Sequence, residues 1–461
     1  MSWQTVLTAM APEHLLLLGI VLLVLAPLAG IKGGAATTLA LTAVLAAAIA
    51  AAALHVAGYD VAAFQGHFSV SPASSLAKAI VLALAIPVVL MSRDDFADGP
   101  FAILLLSSLY GFCLLLSSES FLTLFLGLEL MSLPVYALVL LAFTRTQSTE
   151  AALKYLILGG TASALFLMGV TLLYGGTNSM SIGAFTSALM TGDLQATSAI
   201  VLITIAFFLK AAIVPFHAWA PDAYEGASVP VTAYMATVIK AGVLLAAVRL
   251  FDVVTLTGPA VDLVAILPLV SIVWGNLAAM RQTSFRRMIG YSSIAHAGYL
   301  FYAFLGAGDT RYQAVLFYVI AYGVMNMLAF AALPRSDDEG SRDNIDLLRG
   351  LFQRKPYTAV VIALAMLSLA GLPPLPGFVA KFLIFRNVME AGYTLYAVLG
   401  LVGSYLGIYF YLRVIRMMFM SGDVAVPAQR APDRWSFSAS ALCLAVALAL
   451  SVFPGWFIGA L

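Results

Sequence analysis

The chain alternates between long apolar segments and shorter polar connections that contain glycine or proline. A segment of about 17 to 25 apolar residues can cross the hydrocarbon core of a bilayer as an α-helix. The pattern therefore predicts an all-α polytopic membrane protein with about fourteen transmembrane helices, at residues 12–31, 34–57, 75–92, 100–117, 120–143, 150–174, 197–220, 228–251, 259–280, 286–306, 311–333, 357–389, 392–420 and 435–459.

Two of these segments contain prolines that a regular helix does not accommodate, because proline removes a backbone donor and clashes with the preceding turn. Pro215 interrupts the seventh segment, and Pro373, Pro374 and Pro376 interrupt the twelfth. A broken helix in each half of a chain is typical of a transporter with an internal repeat. We therefore predict two repeats of five helices, helices 4–8 and 9–13. Since five is an odd number, the second repeat has inverted topology relative to the first.

The predicted domain organisation follows from this repeat. The first three helices and the last helix lie outside the two repeats. The divisions are the N-terminal helices 1–3 at 1–99, the first repeat at 100–251, the second repeat at 259–420, and helix 14 at 435–461.

The distribution of basic residues predicts the orientation in the membrane. When the Arg residues near the span ends are counted with the adjoining connections, the 23 Lys and Arg residues divide into five within the predicted spans, fifteen in odd-numbered connections and three in even-numbered ones. Cytoplasmic loops carry the excess of Lys and Arg. The odd connections are thus predicted to be cytoplasmic, with both termini outside. With 62% hydrophobic residues and a net charge of +1, the composition excludes nucleic acid as a partner.

Ionisable residues inside the spans indicate the candidate site. Placing a Lys at the centre of a membrane helix costs roughly 2.5–3.5 kcal/mol, so such residues mark functional sites by default. All five basic residues within the spans are Lys, whereas sixteen of the eighteen outside are Arg. A buried Lys can lose its proton and an Arg cannot, which favours proton carriage. The carriers predicted at comparable depth are Glu129, Lys210, Lys240 and Lys381.

Further polar residues accompany this line as auxiliary candidates. They are Lys154, His217, His296, which shares a helix face with Ser292 and Tyr299, and Tyr322, which shares one with Tyr318 and Asn326. Such faces can hold water for proton relay, but polar residues also join membrane helices to one another. A purely structural ion pair between Glu129 and a Lys is a further alternative. Lys78, four residues into its predicted span, is expected to extend to the membrane surface.

The sequence gives no sign of a redox or metal site. Cys113 and Cys443 both lie in apolar spans, and there is no CxxC pair, GxGxxG or P-loop. We therefore expect no cofactor and no metal in this chain. No Lys or Arg precedes the first apolar core, so the first segment is predicted to be a retained span and not a cleaved signal.

Three stretches carry a family resemblance across helices 4–13. They are FFLKAAIVPFHAWAPDAYEGASVPVTAYMATVIKAG from Phe207, RMIGYSSIAHAGY from Arg287 and AGLPPLPGFVAKF from Ala370. These resemble the signature stretches of the antiporter-like subunits of respiratory complex I, which are related to subunits of multisubunit cation/proton antiporters and membrane-bound hydrogenases. At 461 residues the chain is too short for the member with a long lateral helix. Position 381 also distinguishes between members of this family, because this chain has Lys there and another member has Glu.

The resemblance implies a proton-translocating, membrane-arm subunit of NADH-quinone oxidoreductase in a bacterial inner (plasma) membrane. It implies Glu129, Lys210, Lys240 and Lys381 as carriers, with Lys154 as an auxiliary. His296 matches the family pattern, whereas Tyr322 stands where some relatives have His. Quinone reduction would occur in other subunits, so the chain is part of an enzyme without its own redox site. Its expected partners are other membrane-arm subunits, the lipid bilayer, protons and internal water.

Two other functions fit the same residues. One is a subunit of a multisubunit Na⁺/H⁺ antiporter, which would operate without NADH and depend on Na⁺. The other is a non-conducting structural membrane subunit, in which loss of the central lysines would leave the pumping stoichiometry unchanged.

Overall fold

A computed structural model describes residues 3–30, 33–93, 95–96, 99–141, 146–251, 259–306, 309–334, 344–421 and 434–461. Across these residues the fold is a bundle of α-helices with one short β-hairpin. The predicted all-α membrane class is confirmed.

The described helices, α1 to α21, are in chain order Trp3–Ala9, Ala11–Leu25, Gly34–Val56, Pro72–Ser92, Pro100–Leu116, Phe121–Leu140, Thr146–Thr177, Gly183–Thr191, Leu194–Ala211, Trp219–Gly226, Val229–Tyr234, Lys240–Phe251, Pro259–Ala279, Phe285–Tyr302, Asp309–Ala332, Leu351–Arg354, Pro356–Ala370, Pro376–Glu390, Thr394–Phe419, Arg434–Val452 and Pro454–Ala460. The hairpin pairs β1 (Val61–Phe64) with β2 (Phe68–Val70) in antiparallel fashion. Short 3₁₀ turns lie at Ala26–Ala29, Ala303–Leu305 and Ile345–Leu348, and a π-helical turn at Met235–Ile239 joins α11 to α12.

Each predicted segment contains a helix, although the boundaries differ. In the described part of the chain, eleven helices are long and apolar enough to cross a membrane, and Pro100–Leu116 and Pro356–Ala370 are shorter apolar helices. The last predicted segment, 435–459, is in fact two helices, because a new helix begins at Pro454. The hairpin and α8 lie in the connections 58–74 and 175–196, where no regular structure was predicted.

Polar residues determine where several of the long helices begin. The Ser71 and Ser120 hydroxyls accept hydrogen bonds from the backbone N–H groups three residues later, at the starts of α4 and α6. The Asp193 carboxylate does the same at the start of α9. Side-chain caps of this kind satisfy backbone donors that have no partner within the helix.

Both predicted helix breaks are present. Helix α9 ends at Ala211 and α10 begins at Trp219, while α17 ends at Ala370 and α18 begins at Pro376. The Val214–Pro215 and Pro373–Pro374 peptide bonds are cis. Backbone groups freed at membrane depth need partners within the protein. At the first break the Trp219 indole donates to the Leu209 carbonyl at 2.9 Å, and the Ser271 hydroxyl accepts from the Val214 N–H at 2.9 Å.

The centre of the bundle is formed by the helices that carry Lys240 and Tyr322. The apolar part of the helical segment Val229–Phe251 is wholly buried inside the protein, and that of Thr310–Ala332 is 94% buried. The π-helical turn directly precedes Lys240. Single π turns within α-helices are rare and frequently occur at functional sites.

Candidate functional site

Glu129 and Lys210 form a largely buried ion pair between α6 and α9. Lys210 Nζ donates to Glu129 Oε1 at 2.9 Å, and their side chains are 6% and 18% exposed, respectively. Ser163, on α7, donates to the same carboxylate oxygen at 2.5 Å. Lys210 is the second-last residue of α9, so the first helix break begins directly after it. The predicted carboxylate and the first predicted lysine are therefore in direct contact.

Lys240 lies at the centre of the bundle without a carboxylate partner among the described residues. Its ammonium group donates to the backbone oxygen and the hydroxyl of Ser293, on α14. The same hydroxyl lies 3.0 Å from the Tyr224 hydroxyl, on α10. Lys240 Nζ also lies 5.8 Å from the centre of the Tyr322 ring. No carboxylate among the described residues therefore holds Lys240 in its charged form.

His296 connects α14 to two neighbouring helices. Its Nδ1 lies 2.8 Å from the Tyr318 hydroxyl, and its Nε2 lies 3.1 Å from the Tyr411 hydroxyl. Tyr411 in turn lies 2.5 Å from the Ser292 hydroxyl. The Tyr322 ring packs against the imidazole, with 4.6 Å between ring centres. The polar faces predicted on the tenth and eleventh helices therefore meet at His296.

Lys381 closes the second helix break. Its Nζ donates to the Ala370 carbonyl at 3.0 Å, at the end of α17, and to the Ser404 hydroxyl at 2.9 Å. It also lies 4.9 Å from the centre of the Tyr299 ring. Gly371, the residue directly after α17, has a φ of +86°. A Cβ at this position would lie 2.9 Å from Lys381 Cδ. Glycine is thus required both by the left-handed backbone and by the path of the lysine side chain.

Three aromatic side chains bridge the two central lysines. Tyr322 lies beside Lys240, Tyr299 lies beside Lys381, and His296 packs between them at 4.6 and 5.5 Å from the two ring centres. Within the described residues, no direct hydrogen bond joins the Glu129–Lys210 pair to Lys240. We call Lys210, Lys240 and Lys381 with their contacting polar side chains the central row.

Two predicted auxiliary residues lie apart from the central row. Lys154, with its side chain 44% exposed, contacts Glu150 and Asp222, each at 2.7 Å, and Asp222 also accepts from Arg287 at 2.6 Å. His217 lies within the first break, where its Nε2 accepts from the Trp274 indole at 3.0 Å. Both belong to other polar contacts and do not touch the central lysines.

The expectation for Lys78 was wrong. Its side chain is 1% exposed and its Nζ contacts Glu13 at 2.6 Å, so it does not extend to the surface. The strand β2 covers it, with Nζ 5.1 Å from the centre of the Phe68 ring. Glu13 is therefore a fully buried carboxylate outside the Glu129 site, which the sequence did not reveal because it lies near the start of α2.

Several contacting residues were missed by the sequence analysis. They share only that they are polar and lie inside apolar helices: Ser163, Ser293, Ser404 and Tyr411. Single serines and tyrosines are common in membrane helices, so only their contacts with Glu129, Lys240, His296 or Lys381 distinguish these four. Among the described residues, no group of three or more His, Cys, Asp or Glu side chains could hold a metal ion.

Two broken helices beside a buried row of lysines define a polytopic membrane protein of the antiporter-like class. The chain belongs to the family described as NADH:quinone oxidoreductase/Mrp antiporter, TM, whose model matches residues 118–407. The resemblance carried by the three signature stretches is confirmed.

Comparisons with individual proteins agree with this assignment. The chain is 39% identical over 446 residues to NADH-quinone oxidoreductase subunit N of Pelobacter propionicus, with 96% of each chain covered. A chain in the structure of respiratory complex I from Thermus thermophilus matches with a TM-score of 0.86 and 32% identity, over 97% of this chain and 98% of that one. A chain of the Mrp complex from a Dietzia species matches with a TM-score of 0.84, over 99% of this chain and 96% of that one, but at 20% identity it shows the fold alone. Similarity to subunit N agrees with the length of the chain.

Proposed function

We propose that this chain translocates protons as a membrane-arm subunit of an NADH-quinone oxidoreductase in a bacterial inner membrane. Other membrane-arm subunits would be its partners, and quinone reduction in another subunit would drive it. The single observation that carries the proposal is the bridge between Lys240 and Lys381 through Tyr322, His296 and Tyr299, in which neighbouring groups lie 4.6 to 5.8 Å apart. These ring contacts are not hydrogen bonds, so water held between the side chains of the row would carry a proton sideways between the two buried lysines.

The steps follow from the groups that each lysine contacts. With Glu129 ionised, Lys210 is stabilised in its charged form by the 2.9 Å contact. If the pair separates or Glu129 is neutralised, this stabilisation is lost and Lys210 releases a proton. Internal water would carry that proton to Lys240, since no direct hydrogen bond among the described residues spans this interval. Water beside the His296 and tyrosine side chains would then carry a proton from Lys240 to Lys381.

The contacts of Lys381 favour reversible protonation of its amine. The Ala370 carbonyl and the Ser404 hydroxyl accept from the ammonium group, and neither carries a full charge. The charged form is therefore stabilised by hydrogen bonds without being trapped by a carboxylate. With odd connections cytoplasmic and both termini outside, protons would enter from the cytoplasm and leave on the outer side.

Proton uptake per NADH oxidised, measured on the intact oxidoreductase in membrane vesicles, tests the proposal. Lys381→Ala should lower this ratio while the complex still assembles, as judged on native gels. Arg386→Ala is the matched control, because Arg386 lies on the same helix in an exposed ion pair with Glu390. An unchanged ratio in Lys381→Ala would favour a non-conducting structural subunit. Ion uptake that needs Na⁺ and no NADH would favour an antiporter.

A further inference from the structure

Glu13 and Lys78 form a buried ion pair that lies outside the central row. The contact joins α2 to α4 at 2.6 Å, across 65 residues of sequence, and both side chains are almost fully inaccessible. Among the described residues Lys78 has one hydrogen-bond partner, although an ammonium group has three donors. The pair is therefore only partly satisfied by protein groups.

Several buried polar atoms in the same region have no hydrogen-bond partner in the described part of the protein. They are Glu13 Oε2, His14 Nδ1, Ser75 Oγ and Ser117 Oγ. Ser75 precedes Lys78 by three residues on α4, so the two share a helix face. Ser117 accepts a backbone hydrogen bond from Ser69, next to the Phe68 ring that covers Lys78. An unsatisfied buried polar group costs about 1–3 kcal/mol, so four of them in one region indicate a site that binds water.

A cavity lies beside this region, at the start of α4, and neither Glu13 nor Lys78 lines it. Its volume is about 490 Å³, and its lining includes Ser71, Ser74, Ala77, Leu116 and Arg249. Ser74 and Ala77 lie within one helical turn of Lys78, and Leu116 directly precedes Ser117. Since one water occupies about 30 Å³ in the liquid, the cavity can hold a connected cluster of water molecules.

We propose that Glu13 and Lys78 form a second proton-exchange site, which passes protons to and from water in this cavity. A proton from one water adds to Glu13 Oε2 while Lys78 Nζ releases a proton to another water. A proton then passes through the water cluster from the second water to the first, so that neither is left as an ion. The ion pair becomes a neutral acid and amine, so the site gains no charge. Transfer of a proton from Glu13 back to Lys78 restores the ion pair. Other titratable groups near the pair are His14 on α2 and Tyr110 and Cys113 on α5.

Cys113 provides a local probe of this exchange. It is fully buried, is a free thiol and lies on α5, which packs against both α2 and α4. Its S–H vibration lies in a spectral window with little overlap, and the shift to S–D on transfer to D₂O reports proton exchange at the site. The infrared signal of the intact oxidoreductase is assigned by subtracting that of Cys113→Ala. No NADH is needed, so this inference can fail while the proposed function stands, and the reverse also holds.

In the wild-type protein we expect Cys113 to exchange completely on a timescale of minutes. Glu13→Gln combined with Lys78→Met keeps side-chain size but removes the proton relay, and should slow exchange at least about 100-fold, the lower end of what a positioned acid–base group contributes. If the double variant does not assemble, Lys78→Arg keeps the ion pair but holds its proton and should slow exchange similarly. A thiol that stays unexchanged for hours in the wild type overturns the proposal. So does exchange at the wild-type rate in an assembled double or Lys78→Arg variant.

Discussion

The Lys210 ammonium lies 2.9 Å from Glu129 Oε1, across the interface of α6 and α9, in a site that leaves little of either side chain exposed. Ser163 donates to the same oxygen at 2.5 Å, which orients the carboxylate toward the lysine. Lys240 and Lys381 contact only neutral oxygens and rings among the described residues. The one carboxylate of the central row is thus placed at one end, where it can control the charge of a single lysine.

This placement predicts the effects of changing Glu129. Moving one charge against about 150 mV costs roughly 3.5 kcal/mol, and a carboxylate that approaches or leaves a buried lysine can supply a change of that size. Glu129→Gln should therefore block proton uptake per NADH without preventing assembly. Glu129→Asp should retain part of the activity, because the charge survives and only its reach is lost. Glu390→Gln, in an exposed ion pair, is the control. A Glu129→Gln complex that pumps at the wild-type ratio would mean that the row is gated elsewhere.

Lys240 should tolerate neither loss nor permanent retention of its charge. Lys240→Ala removes the carrier and should lower both proton uptake and coupled NADH oxidation. Lys240→Arg keeps a cation near Ser293 but cannot release its proton, so it should restore little. Ser293→Ala removes one of the two acceptors and leaves the backbone oxygen, so we expect a partial loss. Full activity of the Arg variant would rule out deprotonation at this position.

The main helices and both breaks could be predicted because their signals are local. Long apolar segments predict spans, and Pro215 and Pro373 cannot continue a regular helix. The lysines of the central row stood out because charge within an apolar segment is costly. The residues that contact this row could not be predicted in the same way. Ser163 becomes significant only because another helix places Glu129 opposite it, and Ser293 only because another helix places Lys240 opposite it.

The Glu13–Lys78 pair shows where reading along the chain fails. Lys78 lies six residues after Pro72 at the start of α4, a position from which a lysine can usually reach the membrane surface. The hairpin that covers it lies in a connection with no clear pattern. His217 is a similar case: on a continuous helix it would share a face with Lys210, but the break directs it to Trp274. Both outcomes depend on long-range packing, which no local pattern contains.

The predicted orientation can be tested at two exposed glutamines. Gln353 lies in the 334–356 connection and Gln65 in the hairpin connection, which the basic-residue distribution places on opposite sides. With odd connections cytoplasmic, Gln353→Cys should react with a membrane-impermeant thiol reagent only from the cytoplasmic side, and Gln65→Cys only from outside. The native Cys113 and Cys443 are buried and contribute little background. Labelling in the reverse pattern would invert every entry and exit assignment made above.

Gly371 tests whether the position of Lys381 matters separately from its charge. Gly371 and Gly392 both have left-handed backbones, with φ of +86° and +90°, in the same part of the chain. A Cβ at Gly371 would lie 2.9 Å from Lys381 Cδ, whereas nothing lies within 4 Å of a Cβ at Gly392. Alanine in this conformation costs roughly 1–2 kcal/mol at either site. Both variants should therefore lose similar stability, measured as the midpoint of thermal unfolding of the solubilised complex.

Only Gly371→Ala should also reduce proton uptake per NADH. The added methyl group pushes Lys381 away from the Ala370 carbonyl and the Ser404 hydroxyl, the two acceptors that hold its ammonium group. Proton transfer depends steeply on the distance between donor and acceptor, so a displacement of even about 1 Å can cost on the order of 100-fold in rate. Gly392→Ala pays the same backbone strain without touching the lysine, so the difference between the variants isolates this contact. If the two variants pump equally well, the helix break positions Lys381 loosely and its hydrogen bonds are not needed for transfer.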